Sequence, residues 1–155
     1  MCKLCWSISA ILLVGLSLIS YKFILTGAVT PSTDGRQAIL LEEPERNLVL
    51  GEMRMFLASV QKITQGLSEN DMKIVAAAAR EVGLAAQQEV PGSLMGKLPL
   101  HFKKLGLDTH KKFDALALDA KDLADTQYAL EQLSTLMNNR VACDSTYNIN
   151  ITLDK

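Results

Sequence analysis

The stretch YALEQLSTLMNNRVACDSTY (residues 128–147) decides the fold predicted for this chain of 155 residues. Its apolar residues recur at spacings of three and four, which is the periodicity of an amphipathic helix. Asp125 or Thr126 is expected to begin this helix. The face expected to pack against other helices carries Leu130, Leu133, Leu136, Met137, Arg140, Cys143 and Tyr147.

The end of this stretch, Arg140-Val141-Ala142-Cys143-Asp144, has the spacing of a c-type haem attachment site without its chemistry. A working site is C-x-x-C-H, in which two thiols bond to haem and the adjacent histidine ligates the iron. Only Cys143 carries the required residue. Arg140 and Asp144 are i and i+4 on a helix, so we expect an ion pair there instead of a bound haem. The alternative is a single thioether at Cys143 with the iron ligand supplied from elsewhere.

Three earlier segments repeat the amphipathic period. They are predicted as helices over 46–67, 69–88 and 109–124, with a short helical piece ending before Pro99. The third is expected to begin after Asp108 as its N-cap. Its inward face is expected to carry Phe113, Leu116, Ala117, Ala120 and Leu123. The face expected to be inward on the first helix carries Leu50, Met53, Leu57, Val60, Thr64 and Leu67. Four long segments with short connections predict an all-α protein, with an antiparallel four-helix bundle over 46–155.

Residues 1–28 are almost entirely apolar and form about 25 residues of continuous hydrophobic sequence, where roughly 20 span a bilayer. We expect an uncleaved transmembrane helix that continues through Lys22. The alternative is a signal peptide cleaved after Ala28. Both place the rest of the chain across the membrane, which predicts a single-pass protein of a bacterial inner membrane with a periplasmic C-terminal domain. A cytosolic domain is the minority interpretation, since Lys3 is a weak positive-inside signal.

Residues 29–45 contain Pro31, Gly35 and Pro44 and show no sustained period. This composition predicts an irregular linker that holds the domain away from the bilayer surface.

Composition and motifs exclude several functions. The net charge of −1 provides no basic surface, so nucleic acid is not an expected partner. Cys2 and Cys5 lack the second pair that a zinc site needs. His101 and His110 are not at helix metal-site spacing, and structural or surface roles are favoured for both. No phosphate loop, H-E-x-x-H or Ser-His-Asp arrangement is present, which predicts that the protein is not an enzyme.

From Met53-Arg54 onward the chain resembles the cytochrome c′-like family of four-helix-bundle haem proteins. The landmarks are Met53-Arg54, Ala76–Ala79, Lys97-Leu98-Pro99, His110 with Phe113-Asp114, and Cys143 with Tyr147. The family's attachment site would be Cys-Val-Ala-Cys-His followed by a Tyr-Arg pair, and this chain departs from it at Arg140, Asp144 and Asn148. The resemblance implies that Met53, Leu57 and Tyr147 face the haem pocket. It also implies a homo- or heterodimer formed through the first two bundle helices.

These observations predict a membrane-anchored, non-enzymatic cytochrome c′-like bundle that has lost covalent haem binding. Such a protein would act as an accessory subunit or docking partner of a periplasmic redox complex, without a cofactor or metal of its own. The alternative is a cytochrome with altered attachment of haem c, which still transfers electrons or binds a gas.

Overall fold

A computed structural model describes residues 3–152 of the chain. The chain is mostly helical, at 76%, as its periodicity predicts, and it also contains a small sheet that was not expected. The elements, in chain order, are α1 (Lys3–Ser20), a π-helical segment (Tyr21–Thr26), β1 (Val29–Pro31), β2 (Gln37–Leu41), α2 (Glu43–Ser68), α3 (Met72–Glu81), a 3₁₀ helix (Leu84–Glu89), α4 (Gly92–Lys97), α5 (Leu100–Asp122), α6 (Thr126–Thr146) and β3 (Tyr147–Ile151).

The N-terminal helix continues without a break from α1 into the π-helical segment and therefore through Lys22, as predicted. The stretch Trp6–Thr26 is long and apolar enough to cross a bilayer, or to be a signal anchor. Its described side chains are almost all exposed, and its contacts with α4 and α5 are made by the π-helical segment at its C-terminal end.

Residues 29–45 do not form an irregular linker, and that prediction is wrong. β1 and β2 form an antiparallel hairpin with Val29 opposite Ile39, and α2 begins at Glu43 rather than Arg46. β2 also pairs in parallel with β3 from the far end of the chain, with Gln37 opposite Tyr147. Ile39 and Leu41 are fully buried. The hairpin is therefore part of the folded body.

The long helices pack as sequential neighbours. α2 contacts α3, α3 contacts α5, α5 contacts α6, and α2 also touches α6. They enclose the larger apolar core, whose fully buried members include Ile63, Val75, Phe113, Leu116 and Leu136. A second core lies under the sheet and includes Ile39, Leu41, Val49, Leu94, Leu98, Phe102 and Tyr147.

The bounds of α3 and the start of α5 also differ from the prediction. α3 begins at Met72 rather than residue 69. α3 ends at Glu81, because Val82 and the extended Gly83 leave the helical conformation, so the helix does not reach residue 88. α5 begins at Leu100 directly after Pro99, and Asp108 lies within the helix, where it pairs with Lys112 at 2.7 Å. α4 ends before Pro99, as predicted.

The buried face of α2 also differs from the predicted one. Of the predicted stripe only Leu67 is buried, while Leu57 is 69% exposed, and the buried positions are Val49, Ser59, Ile63, Gly66 and Leu67. Ser59 is buried because its hydroxyl donates to the Ala78 carbonyl oxygen at 2.6 Å. Leu123 and Leu130 are exposed as well. The predicted inward residues that are buried on α5 and α6 are Phe113, Leu116, Ala117, Ala120, Leu133 and Leu136.

Candidate functional site

The β1–β2 hairpin holds the C-terminal end of α6. The last carbonyl groups of a helix have no partner within it and need donors from elsewhere. Arg36 supplies a donor to one of them, because its Nη1 donates to the carbonyl oxygen of Asp144 at 3.0 Å. It also donates to the carbonyl oxygen of Tyr147, the first residue of β3, at 3.3 Å. Asp34 orients Arg36 through an ion pair of 2.6 Å. The hydrogen bonds that the Asp34 carboxylate accepts from the side chain and the backbone of Arg36 hold its pKa far below the usual value.

Arg140 and Asp144 form the expected i, i+4 ion pair, with Nε and Oδ2 2.9 Å apart. Both line a cavity of about 470 Å³ between α2, α5 and α6, here called the α2/α6 cavity. Met53 and Leu57 of α2 line it from the opposite side, and Phe113 of α5 also contributes to its wall. The structure thus places together four of the residues that the sequence singled out.

Cys143 lies beside this cavity and is half buried against the second core. Burial, together with the adjacent Asp144 carboxylate, raises the pKa of its thiol to about 11, and the Arg140 guanidinium opposes this only in part. The group is therefore a neutral thiol at pH 7. Because the thiolate is the reactive form, Cys143 is a weak nucleophile and a weak metal ligand.

The residues at these positions do not fit a covalently attached haem. Attachment needs two thiols and a neighbouring imidazole. Here the position of the first thiol carries the Arg140 guanidinium, and the position of the imidazole carries the Asp144 carboxylate, which pairs with it. A protonated Cys143 is the only thiol at the site among the described residues.

His110 of α5 has surroundings that the sequence did not reveal. Its side chain is 1% exposed, and Nδ1 lies 2.8 Å from the Val82 carbonyl oxygen, which fixes the proton on that nitrogen. Nε2 lies 3.2 Å from Glu52 Oε1 but lacks the alignment of a hydrogen bond. Burial opposes the charged ring, yet Glu52 and the Val82 carbonyl together outweigh it, so the pKa of His110 is raised. His110 is thus a buried imidazole in contact with the partly exposed carboxylate of Glu52.

This pair borders a small void of about 50 Å³, which Met53, Arg140 and Cys143 also line. Arg140, Asp144 and His110 therefore lie around adjacent spaces. No sequence spacing connects His110 with Glu52, because they are 58 positions apart on different helices.

Tyr147 does not line the α2/α6 cavity, contrary to what the resemblance implies. It is the first residue of β3 and is buried in the second core, with its ring edge-on to Phe102 at 5.5 Å. Its hydroxyl lies 3.3 Å from Nδ1 of His101. The correction has a physical reason, because α6 ends at Thr146 and the chain then leaves the helix to pair with β2.

A larger groove of about 790 Å³ lies between α2, α4 and the first half of α5, here called the α2/α4/α5 groove. The sequence analysis did not identify it. Its lining includes Leu48, Met55, Met95 and Leu107, which are all exposed apolar residues. The sequence offered one signal for this groove. Leu48 and Met55 of α2 are seven positions apart, which places them on one face of the helix, and neither belongs to the predicted inward stripe.

Comparison of the chain with protein-family models, curated proteins and solved structures gave no match. The resemblance to the cytochrome c′-like family therefore stays a prediction based on the residues quoted above.

Proposed function

We propose that this protein is a non-enzymatic, membrane-anchored accessory subunit or docking partner of a redox complex on the periplasmic side of a bacterial inner membrane. In this proposal α2, α3, α5 and α6 form an antiparallel four-helix bundle of the cytochrome c′-like type that has lost covalent haem attachment. The observation that carries it is the α2/α6 cavity. Its wall contains the Arg140–Asp144 ion pair at the two positions where attachment chemistry needs a thiol and an imidazole.

The wild-type protein and the double variant Arg140→Cys with Asp144→His test the loss of attachment. Both are expressed with a c-type haem maturation system and extracted with acid-acetone, and the haem that remains on the protein is measured by its Soret absorbance. We expect no covalent haem on the wild type. We expect covalent haem on the double variant, because both thiols then lie on one helical face beside the imidazole. The matched control, Asp144→His alone, has one thiol and should retain little.

Two outcomes contradict this part of the proposal. Covalent haem on the wild-type chain would show that attachment persists through Cys143 alone. A folded double variant without haem would show that the end of α6 never served as an attachment site.

The docking role is expected to use the first two helices of the bundle, where Leu57 of α2 is 69% exposed. We expect a haem-bearing protein, or a second copy of this chain, to co-purify from detergent-solubilised membranes and to be lost with Leu57→Glu. The matched control is Leu118→Glu on α5, which changes a leucine that is 51% exposed. If the same amount of partner co-purifies with Leu57→Glu as with Leu118→Glu, α2 is excluded as the docking surface. No nucleic-acid partner is proposed.

The second candidate function is a haem- or gas-binding cytochrome with altered attachment, and His110 favours it. Metal-bound histidines commonly donate their other N–H to a carbonyl oxygen, as Nδ1 does here to Val82. Against it, the void at Nε2 is about 50 Å³, whereas ligand pockets measure about 300–1,000 Å³. Titration of the purified protein with haemin distinguishes the two functions, since only the second predicts a Soret shift that His110→Gln removes.

A further inference from the structure

The α2/α4/α5 groove is open to solvent and mainly apolar. Its floor is formed by Val49, Leu94, Leu98 and Phe102, which are buried members of the second core. Its rims carry exposed Leu48, Met55, Met95 and Leu107. Large apolar side chains that remain exposed along one groove indicate a surface that is covered in the working protein.

The groove lies against the end of the N-terminal helix. Lys103, which lines the groove, donates from Nζ to the carbonyl oxygen of Ile24 at 3.4 Å and to that of Met95 at 3.0 Å. Ile24 is in the last turn of the apolar stretch Trp6–Thr26. When this stretch crosses a bilayer, the rim of the groove therefore stands at the level of the lipid headgroups.

The charges around the groove are mainly positive. Lys103, Lys104 and Arg54 line it, and none of them forms an ion pair with a carboxylate among the described residues. Glu52 is the one carboxylate in the lining among the residues whose side chains the structure describes, and it contacts His110 instead. This local excess of cations stands in a chain whose net charge is −1. Basic side chains at a membrane surface attract anionic lipids.

We propose that the α2/α4/α5 groove binds one acyl chain of an anionic phospholipid from the leaflet in which the N-terminal helix ends. The chain lies along the apolar floor, and the headgroup contacts Lys103 and Lys104. The position of the groove favours lipid over a polypeptide, because its rim touches the last turn of the membrane helix. This proposal rests on the membrane anchoring of the proposed function but not on the fate of haem.

Lipid photolabelling of the full chain tests the proposal. The protein is reconstituted in vesicles of equal parts phosphatidylglycerol and phosphatidylcholine, with a trace of one or the other lipid carrying a diazirine in its acyl chain. Labelled peptides are identified by mass spectrometry. We expect the phosphatidylglycerol probe to label peptides of α4 and the first half of α5 several-fold more than the phosphatidylcholine probe does.

Two pairs of variants define the site. Ala58→Trp fills the groove from an exposed position of α2 and should remove the groove labelling, while Ala77→Trp at an exposed position of α3 should not. Lys104→Glu should remove the preference for phosphatidylglycerol, while Lys73→Glu, at an exposed position of α3 outside the groove lining, should preserve it. Labelling confined to Trp6–Thr26, equal labelling by the two probes, or groove labelling that survives Ala58→Trp would overturn the proposal.

A photoreactive residue in place of Met95, activated in native membranes, identifies the natural occupant. An adduct of phospholipid mass supports the proposal, whereas an adduct the size of a protein or of a second chain overturns it in favour of a polypeptide ligand. Alkaline extraction of the same membranes separates the two hypotheses. Release of the protein contradicts membrane anchoring itself, while a retained protein with an unlabelled groove contradicts only the lipid site.

Discussion

At the scale of single residues, the contact between His110 and Glu52 is the most consequential one that the sequence did not show. Val82 holds the proton on Nδ1, so protonation occurs at Nε2, directly beside the Glu52 carboxylate. A neutral ring turns a lone pair toward that carboxylate, and a charged ring turns a proton toward it. This geometry explains why the pKa of a buried imidazole is raised rather than lowered.

We predict that His110 makes stability depend on pH near neutrality. Its pKa is higher in the folded than in the unfolded chain, so its stabilising contribution is complete below the usual value of 6.5 and is lost as the pH rises through the folded pKa. The urea midpoint of the wild type should therefore fall as the pH rises through this range. In Glu52→Gln the carboxylate is absent, and the effect of burial on the pKa of His110 dominates. The urea midpoint of this variant should therefore fall on acidification instead.

The matched control for this prediction is Glu81→Gln. Glu81 is an exposed carboxylate that pairs with Lys62 at 2.8 Å on the surface. This variant should keep the wild-type dependence on pH. An unchanged profile in Glu52→Gln would mean that the carboxylate does not set the pKa of His110.

At the scale of elements, α6 stabilises the body through one face only. Leu133 is 6% exposed, whereas Leu130, one turn earlier, is 48% exposed. Leu133→Ala should lower the free energy of unfolding by about 2–5 kcal/mol through the cavity it leaves. Leu130→Ala should change it by no more than about 0.5 kcal/mol. Denaturant unfolding measures both values, and similar losses in the two variants would show that the buried face has been misassigned.

The junction between the N-terminal helix and the body depends on Gly27. Its φ is +68°, and a Cβ there would lie 2.5 Å from the Lys97 carbonyl oxygen and 2.7 Å from Pro99 N. Gly35 also has a positive φ, +84°, but open space around it. Gly35→Ala should therefore cost only the left-handed conformation, about 1–2 kcal/mol. Gly27→Ala should cost about 1–3 kcal/mol more, because backbone atoms must move. Unfolding midpoints in detergent test this difference, and equal midpoints would contradict it.

The helical period was sufficient to predict α6 and the second half of α5, because Phe113, Leu116, Leu133 and Leu136 repeat regularly and are buried. It failed on α2, where small residues that carry no hydrophobic signal are buried alongside Ile63 and Leu67. The strands were missed because β1 has three residues and β2 pairs with a strand more than a hundred positions away.

The same reasoning applies to the candidate site. The Arg140–Asp144 pair follows from i, i+4 spacing on one helix, so it was predictable. The roles of Arg36, Glu52 and His110 depend on contacts between distant segments, which no local pattern indicates.

At the scale of the whole molecule, we predict that the N-terminal helix is retained. Cleavage after Ala28 would remove two hydrogen bonds that this residue makes to the body, to Lys97 O at 2.7 Å and from Leu40 N at 2.8 Å. The intact mass of the membrane-extracted protein should therefore be that of a chain that still contains residues 3–26. A mature N-terminus near Val29 would identify the segment as a signal peptide instead.

Only Gly27 and Ala28 separate the π-helical segment from β1, and both contact the body. A flexible linker over 29–45 would have let the body explore a radius of about 20 Å. When the N-terminal helix crosses a bilayer, as we propose, the lack of such a linker turns encounters with other membrane proteins into collisions in a plane, governed by lateral diffusion and by rotation about the membrane normal. A partner can then be recognised only through a face that it presents at one fixed height above the lipid.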